Sequence, residues 1–128
     1  MPGAKPCSPR SQTNRSVTTE PSPLRGEVWM VAFDPSIGGE IKKTRPAVVV
    51  SNGSANAVLN RVQVIPISSQ VQRLYPAEAY VSLDGNRRKA MADQLTTASK
   101  RRLLRRLGVL GPEDVEAVNR VNRRQLDL

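Results

Sequence analysis

Histidine is absent from this 128-residue chain, and cysteine occurs once, at Cys7. Without histidine, the chain cannot use a histidine general base, a Cys–His nucleophile pair or the usual zinc sites. One cysteine cannot form an intrachain disulfide, which fits a reducing cytoplasm. No apolar run is as long as a membrane span or the core of a signal peptide. The sequence therefore predicts a cytoplasmic protein with no metal site, no cofactor and no membrane association.

Aromatic residues are also scarce, at 3% of the chain. They are Trp29, Phe33, Tyr75 and Tyr80. These are too few for a surface on which several RNA bases stack. Any bound nucleic acid must therefore be held mainly by charge and hydrogen bonds, and the core must be built from Val, Ile, Leu and Ala.

Basic residues are abundant: 20 Lys and Arg stand against 11 Asp and Glu, giving a net charge of +9. This excess predicts attraction to phosphate polyanions or to acidic proteins. A basic surface that only keeps the protein in solution is the alternative interpretation.

The first 24 residues differ in composition from the rest. They hold five of the ten prolines, many Ser and Thr, and almost nothing apolar. Such a segment cannot bury enough surface to offset its ordering entropy, so we predict a disordered tail over 1–24 and one domain over 25–128. A targeting role is the weaker interpretation, because the tail lacks an amphipathic apolar pattern.

Short apolar or alternating segments separated by turn residues predict a series of strands. The predicted strands are 28–33, 46–50, 62–67, 79–83, 90–95 and a small one near 108–110, with turns at Asn52-Gly53 and Asp84-Gly85-Asn86 and a short helix or turn at 100–107. Closely spaced short strands indicate a small, strongly curved antiparallel barrel.

A helix is predicted at the end of the chain. It opens with Gly111-Pro112 and carries acidic residues in its first turn and arginines toward its end, as the helix dipole favours. Its predicted sheet-facing residues are Val115, Val118, Val121 and Leu126. The predicted fold class is thus mainly β with a C-terminal α-helix.

Two segments carry side chains suited to phosphate chemistry. The loop over 36–45 contains Glu40, Lys42, Lys43 and Arg45, and the strand ending at Ile67 continues into Ser68, Ser69 and Gln70. RNA cleavage by internal attack needs a group that takes the 2′-hydroxyl proton, a cation on the phosphate and a proton for the leaving oxygen. Considered alone, each segment is better interpreted as a solvated surface loop or an ordinary Ser-rich turn.

The order and spacing of several short blocks resemble the MazF/PemK/Kid family of endoribonuclease toxins. In chain order the blocks are Arg25-Gly26-Glu27-Val28-Trp29, Asp34-Pro35, Gly38-Gly39-Glu40, Arg45 to Asn52, Ile65 to Gln70, Tyr75-Pro76 and Ala92 to Leu95. Each block is weak by itself, but together they cover 25–128 in the family's order.

The resemblance implies an SH3-like antiparallel barrel that forms a symmetric homodimer. It also implies metal-independent cleavage of single-stranded RNA at short motifs, leaving a 2′,3′-cyclic phosphate and a 5′-hydroxyl. By position, Arg45 matches the family's essential loop arginine, Glu40 its loop glutamate and Ser68 a hydroxyl residue that is usually Thr. Gly39 replaces a more usual Ser, and these departures bear on the target sequence rather than the reaction class.

We therefore expect Arg45 to bind the scissile phosphate, Ser68 to hydrogen-bond a nonbridging oxygen, and Glu40 to be the candidate base. The predicted RNA-binding residues are Lys42, Lys43, Ser69, Gln70 and Gln94, whereas Asn52 is expected in a turn or supporting role. The expected protein partner is an acidic cognate antitoxin that covers the RNA groove.

Two other functions remain as alternatives. A noncatalytic RNA-binding barrel would keep the basic surface but would not need Arg45 and Ser68 together. A toxin that poisons gyrase on the same barrel depends on an aromatic and Gly-rich C-terminus, whereas this chain has no aromatic residue after Tyr80.

Overall fold

A computed structural model describes residues 22–33 and 44–128 of the protein. Within these ranges the chain forms a seven-stranded sheet, two α-helices and two short 3-10 turns. The strands are β1 (Glu27–Ala32), β2 (Thr44–Val49), β3 (Arg61–Ser68), β4 (Glu78–Leu83), β5 (Asn86–Met91), β6 (Thr96–Ser99) and β7 (Leu103–Val109). The helices are α1 (Gly53–Val58) and α2 (Pro112–Leu126), and the 3-10 turns are Ala92–Gln94 and Lys100–Arg102.

All strand pairs in this sheet are antiparallel, and their order is β4-β5-β3-β2-β1-β7. Strand β3 pairs with β2 along one side. Along its other side, β3 pairs first with β6 and then, from Ile67 onward, with β5. One strand therefore belongs to both halves of the sheet, which curls around it.

The two faces of β3 enter two different hydrophobic clusters. Ile65 and Ile67 pack in a cluster with β4, β5 and α2, whereas Val62 and Val64 pack in a cluster with Val31 and other residues of β1, β2, β6 and β7. This separation follows from the alternation of side chains along a strand. Both faces of the curled sheet are thus buried at its centre, and the prediction of a mainly β, strongly curved antiparallel fold with a C-terminal helix is confirmed.

Helix α2 covers the first cluster. Val118 is buried, and Val115 and Val121 are partly buried against the cluster, as predicted. The prediction for Leu126 is wrong: its side chain is 46% exposed, because the last turn of α2 extends past the surface that the helix covers. In the described part of the chain, no helix is long and apolar enough to cross a membrane.

Three predicted elements differ from the structure. Asn52 is not the start of a simple turn: its side-chain oxygen accepts from the Ala55 amide at 2.8 Å and caps α1, so Asn52 keeps its supporting role. Strand β5 begins at Asn86 rather than at residue 90, because Asp84 and Gly85, with φ of 54° and 76°, make a tight hairpin turn. Of the short helix or turn predicted over 100–107, Lys100–Arg102 forms a 3-10 turn, whereas residues 103–107 extend the small strand predicted near 108–110, because they pair with the edge of β1.

The ordered contacts at the start of the domain include residues that the sequence assigned to the tail. Pro23 is buried, and its carbonyl accepts from Asn56 Nδ2 at 3.0 Å. The Leu24 amide donates to Glu27 Oε1 at 3.0 Å. Residues 1–21 of the predicted tail lie outside the described residues.

Candidate functional site

A groove of about 530 Å³ crosses the end of β3. Side chains from β1, β2, the end of β3, the β4–β5 hairpin and β7 line it. They are Met30, Thr44, Arg45, Pro46, Ile67, Ser68, Ser69, Gln70, Leu83, Asp84, Arg88 and Leu107. Apolar residues form much of the lining, and the polar groups come from a few chain segments. This combination is typical of a ligand site.

Arg45 lies near the beginning of β2, opposite Val31 of β1, and its side chain is half-buried. The last pair between β2 and β3 is Ala47 with Pro66. Continuing this antiparallel register by two residues brings Arg45 opposite Ser68. The guanidinium and the hydroxyl therefore approach the same groove from neighbouring strands, although 22 positions separate them in the sequence.

A second pocket, of about 320 Å³, adjoins the groove at Arg45. Phe33, Pro66, Gln94 and Thr96 complete its lining. Gln94 ends the 3-10 turn after β5 and is exposed. Arg45 lines both cavities, so the pocket that contains Gln94 lies next to the groove that contains Ser68.

The strand end Ser68-Ser69-Gln70 forms a local turn. Ser68 is half-buried, and its Oγ accepts from the Gln70 amide at 3.0 Å. Ser69 and Gln70 are exposed on the groove. Since a hydroxyl oxygen accepts while its proton remains free to donate, Ser68 can still donate to an oxygen of a bound anion.

The segment that follows Gln70 is fastened to β4 and β5 by buried polar groups. Lys89 Nζ donates to the Arg73 carbonyl and to Glu78 Oε1, each at 2.9 Å. Glu78 Oε1 also accepts from the Tyr75 amide at 2.9 Å. Lys89 and Glu78 are only 6% and 8% exposed, so their hydrogen bonds are shielded from water. This buried network therefore holds the segment beside the groove.

The structure thus brings four of the predicted site residues, Arg45, Ser68, Ser69 and Gln70, to one groove and Gln94 to the adjoining pocket. The other three, Glu40, Lys42 and Lys43, lie outside the described residues. Their predicted roles therefore remain predictions.

Three polar groove residues were not predicted: Thr44, Asp84 and Arg88. The sequence pattern assigns Asp84 only to a turn and puts Arg88 before the predicted strand. The strong Asp-Gly turn signal could have started β5 earlier, which would have put Arg88 on a strand. Even so, pattern alone does not say which face of that strand meets the groove.

Among the described residues, no group of three or more His, Cys, Asp or Glu side chains is arranged to hold a metal ion. The polar atoms around the groove are instead guanidinium, hydroxyl and amide groups, with Asp84 as the one carboxylate in the described part of its lining. Such groups suit an anion, because guanidinium forks and hydroxyls donate to phosphate oxygens.

Comparison with known proteins identifies a family. Residues 24–126 match the sequence profile of the family described as PemK-like, MazF-like toxin of type II toxin–antitoxin system. Over 113 residues, the chain is 34% identical to Endoribonuclease MazF9 of Mycobacterium tuberculosis (strain ATCC 25618 / H37Rv), covering 81% of this chain and 96% of that protein. It is also 39% identical to Endoribonuclease PemK of Escherichia coli over 61 residues, covering 48% of this chain and 46% of that protein.

Solved structures agree in fold. MazF from Deinococcus radiodurans superposes with a TM-score of 0.72 at 24% identity, covering 85% of this chain and all of that one. A MazE-MazF structure from the same organism gives a TM-score of 0.72 at 25% identity, covering 85% of this chain and 99% of that one. A mycobacterial endoribonuclease in complex with its cognate antitoxin gives a TM-score of 0.69 at 23% identity, covering 83% of this chain and 96% of that one.

Proposed function

The chain belongs to the PemK-like, MazF-like toxins of type II toxin–antitoxin systems and is an endoribonuclease of that kind. We propose that it cleaves single-stranded RNA at short sequence motifs. Cleavage proceeds by attack of a 2′-hydroxyl on the adjacent phosphodiester and needs no metal ion. The products carry a 2′,3′-cyclic phosphate and a 5′-hydroxyl.

The observation that carries this proposal is the meeting of Arg45 and Ser68 at one groove. Their strands are neighbours, and the continued register between β2 and β3 puts the two residues opposite each other. A planar guanidinium can make two parallel hydrogen bonds to phosphate oxygens, and a hydroxyl can donate a third. Donors fixed by a sheet stabilise the extra negative charge that develops on phosphorus during attack.

In this mechanism the 2′-oxygen forms a bond to phosphorus as the bond from phosphorus to the 5′-oxygen breaks. Arg45 binds the scissile phosphate and stabilises the charge of the phosphorane. Ser68 donates to a nonbridging oxygen. A base accepts the 2′-hydroxyl proton, and the leaving 5′-oxygen takes up a proton for which the Arg45 guanidinium is a candidate donor.

Glu40 is the proposed base, and this assignment rests on its position in the sequence because Glu40 lies outside the described residues. Lys42 and Lys43 are assigned to RNA binding on the same ground. Ser69, Gln70 and Gln94 are assigned to RNA binding because they line the groove and the pocket that Arg45 joins.

The proposed protein partner is an acidic cognate antitoxin. Related proteins have been solved with their antitoxins, and the net charge of +9 on this chain favours an acidic segment. The antitoxin and RNA should compete for one surface, which a displacement titration with labelled RNA measures. Binding of both at full affinity would contradict this part of the proposal.

We also propose a symmetric homodimer in the cytoplasm. Leu104 and Val109 of the terminal strand β7 are 54% and 60% exposed, so apolar surface is available for a second copy. Light scattering behind a sizing column measures the mass directly, and a monomer at micromolar concentration would contradict the dimer.

The deciding experiment incubates the protein with single-stranded RNA in excess EDTA and identifies the new ends. Cleavage with cyclic-phosphate and 5′-hydroxyl ends is expected. Arg45→Ala should lower kcat/KM by about a hundredfold to a thousandfold, because it removes a preorganised donor to the transition state. The matched control is Arg61→Ala, which removes an exposed arginine at the far end of β3.

The competing functions give different results in the same assay. A gel shift without cleavage would support a noncatalytic RNA-binding barrel, and indifference to RNA would favour a protein-binding toxin of the gyrase-poison type. Cleavage by Arg45→Ala at the parental rate would overturn the assignment of the site.

A further inference from the structure

The arginines of this protein differ in how they are used. Some are tied into the scaffold: Arg102 donates to the Ala32 carbonyl at 3.1 Å, and Arg106 pairs with Glu27 at 3.1 Å. In contrast, within 22–33 and 44–128 no hydrogen bond or ion pair engages the guanidinium of Arg88. Arg88 is therefore not needed to hold neighbouring elements together.

Arg88 nevertheless lies on the face of β5 that packs on the first hydrophobic cluster. It pairs across the β4–β5 hairpin with Val81, whose side chain is buried in the first hydrophobic cluster. Residues directly opposite each other share a face of the sheet, so Arg88 lies on the same inner face and lines the groove. A half-buried guanidinium without an anionic partner is poorly solvated, and binding an anion relieves that penalty.

The strand register places Arg88 on the opposite side of β3 from Arg45. The pair Ser68 with Lys89, continued by one residue, brings Ser69 opposite Arg88, whereas the β2–β3 register brings Ser68 opposite Arg45. Because adjacent residues of a strand point to opposite faces, the two arginines reach the groove from opposite faces of the curled sheet. The two arginines thus flank the end of β3, on strands two steps apart, or roughly 10 Å at the backbone. Long side chains from both strands can reach ligand groups that lie across that end.

We propose that Arg88 binds a non-scissile phosphate of the RNA strand whose scissile phosphate is held by Arg45. This inference rests on the proposed function and extends it to how the strand is oriented in the groove. A single carboxylate or phosphate is less suited to pair with both guanidiniums, because they reach the groove from different strands and different faces of the sheet. A polyanion with regularly repeated charges satisfies both, which favours a nucleic-acid backbone over an isolated anion.

The test compares Arg88→Gln with Arg87→Gln. Arg87 is the adjacent residue of β5, is exposed, and packs over the Tyr80 ring at 4.6 Å on the other face of the hairpin, so the control removes the same charge from the same strand. The RNA carries a 2′-deoxy nucleotide at the cleavage position, so that binding is measured without cleavage. Arg88→Gln should weaken binding by about tenfold or more, and Arg87→Gln by less than about fivefold.

A second measurement locates the contact. Each non-scissile linkage of the RNA is replaced in turn by a neutral methylphosphonate. The parental protein should lose affinity at the linkage that Arg88 contacts, whereas Arg88→Gln should lose nothing further there and the usual amount elsewhere. For Arg88→Gln, the slope of log affinity against log salt concentration should be smaller in magnitude than for the parental protein by roughly 0.7, as expected for the loss of one phosphate contact to a single strand. Thermal melting of both variants verifies that each is folded.

Equal binding by the two variants, or an unchanged methylphosphonate profile in Arg88→Gln, would overturn the assignment of Arg88. If the binding of an acidic peptide depends on Arg88 and the binding of RNA does not, Arg88 contacts a protein partner and the inference also fails. A parental protein that binds this RNA but does not cleave its all-ribose form would contradict the proposed function while leaving the Arg88 contact testable by affinity. Failure to bind RNA at all would overturn both.

Discussion

At the scale of single residues, Ser68 illustrates how one hydroxyl can serve both scaffold and site. Its oxygen accepts from the Gln70 amide, which fixes the turn at the end of β3. Its proton is free to donate into the groove that Arg45 borders. The usual Thr of the family would keep both functions and add a methyl group that restricts χ1.

Ser68→Ala should lower kcat/KM for a single-site RNA by about tenfold to a hundredfold, because it removes a hydrogen bond to a charged phosphate. Ser68→Thr should keep most of the activity. The measurement is the initial cleavage rate under kcat/KM conditions, with melting temperatures of both variants as a folding control. Parental activity in Ser68→Ala would remove Ser68 from the proposed mechanism.

The residues Arg25, Gly26 and Glu27 led to the family resemblance, but in the structure they support the scaffold. Arg25 donates to the Val50 carbonyl and to Asn119 of α2, which ties the helix to the sheet. Gly26 has a φ of +92°, where a side chain is disfavoured. Resemblance could locate this block, whereas its physical role depends on partners far away in the chain.

At the scale of elements, the buried pair of Glu78 and Lys89 fixes the segment that follows Gln70. Glu78→Ala should destabilise the domain by about 3–5 kcal/mol, because it leaves a buried ammonium without its carboxylate. The measurement is the free energy of unfolding in urea. Replacing both residues, as Glu78→Ala with Lys89→Met, should destabilise it less than Glu78→Ala alone.

A double-mutant cycle separates this pair from general packing effects. Strictly additive effects of the two changes would show that the pair does not act as a unit, and would contradict the expected coupling. Limited proteolysis provides a local readout, because loss of the bonds to Arg73 and Tyr75 should expose the segment between them to cleavage.

The sequence predicted those elements whose own side chains decide their structure. β2 and β3 are rich in β-branched residues, and α2 has a proline start and a matching charge distribution, so their positions follow from local pattern. Only the end of β7, at 108–109, falls in a predicted strand. Residues 103–107 do not alternate, and they form a strand by pairing with β1, which local pattern does not reveal. The same limit applies to the site: Arg45 and Ser68 were predicted from resemblance, while Arg88 requires the hairpin register.

At the scale of the whole molecule, the domain boundary can be tested by truncation. We propose that residues 22–128 fold and cleave RNA without residues 1–21, and that the free energy of unfolding changes by less than about 0.5 kcal/mol. Starting at residue 25 should destabilise the domain by about 1–3 kcal/mol, because Asn56, which is fully buried, then loses the Pro23 carbonyl as its acceptor. Urea unfolding of the two truncated chains measures the difference. Equal stability of both would contradict the role of Pro23.

The shared strand β3 limits how RNA specificity can diverge in this fold. Since β3 pairs with β2, β6 and β5, the two sides of the groove are joined through a single buried strand and cannot be moved apart independently. A change of target sequence is therefore more accessible through side chains at the rim, such as Ser69, Gln70 and Arg88, than through a shift of the strands. The scaffold is consequently expected to drift slowly among related toxins while the rim diversifies, so that proteins of nearly superposable backbone can recognise unrelated RNA motifs.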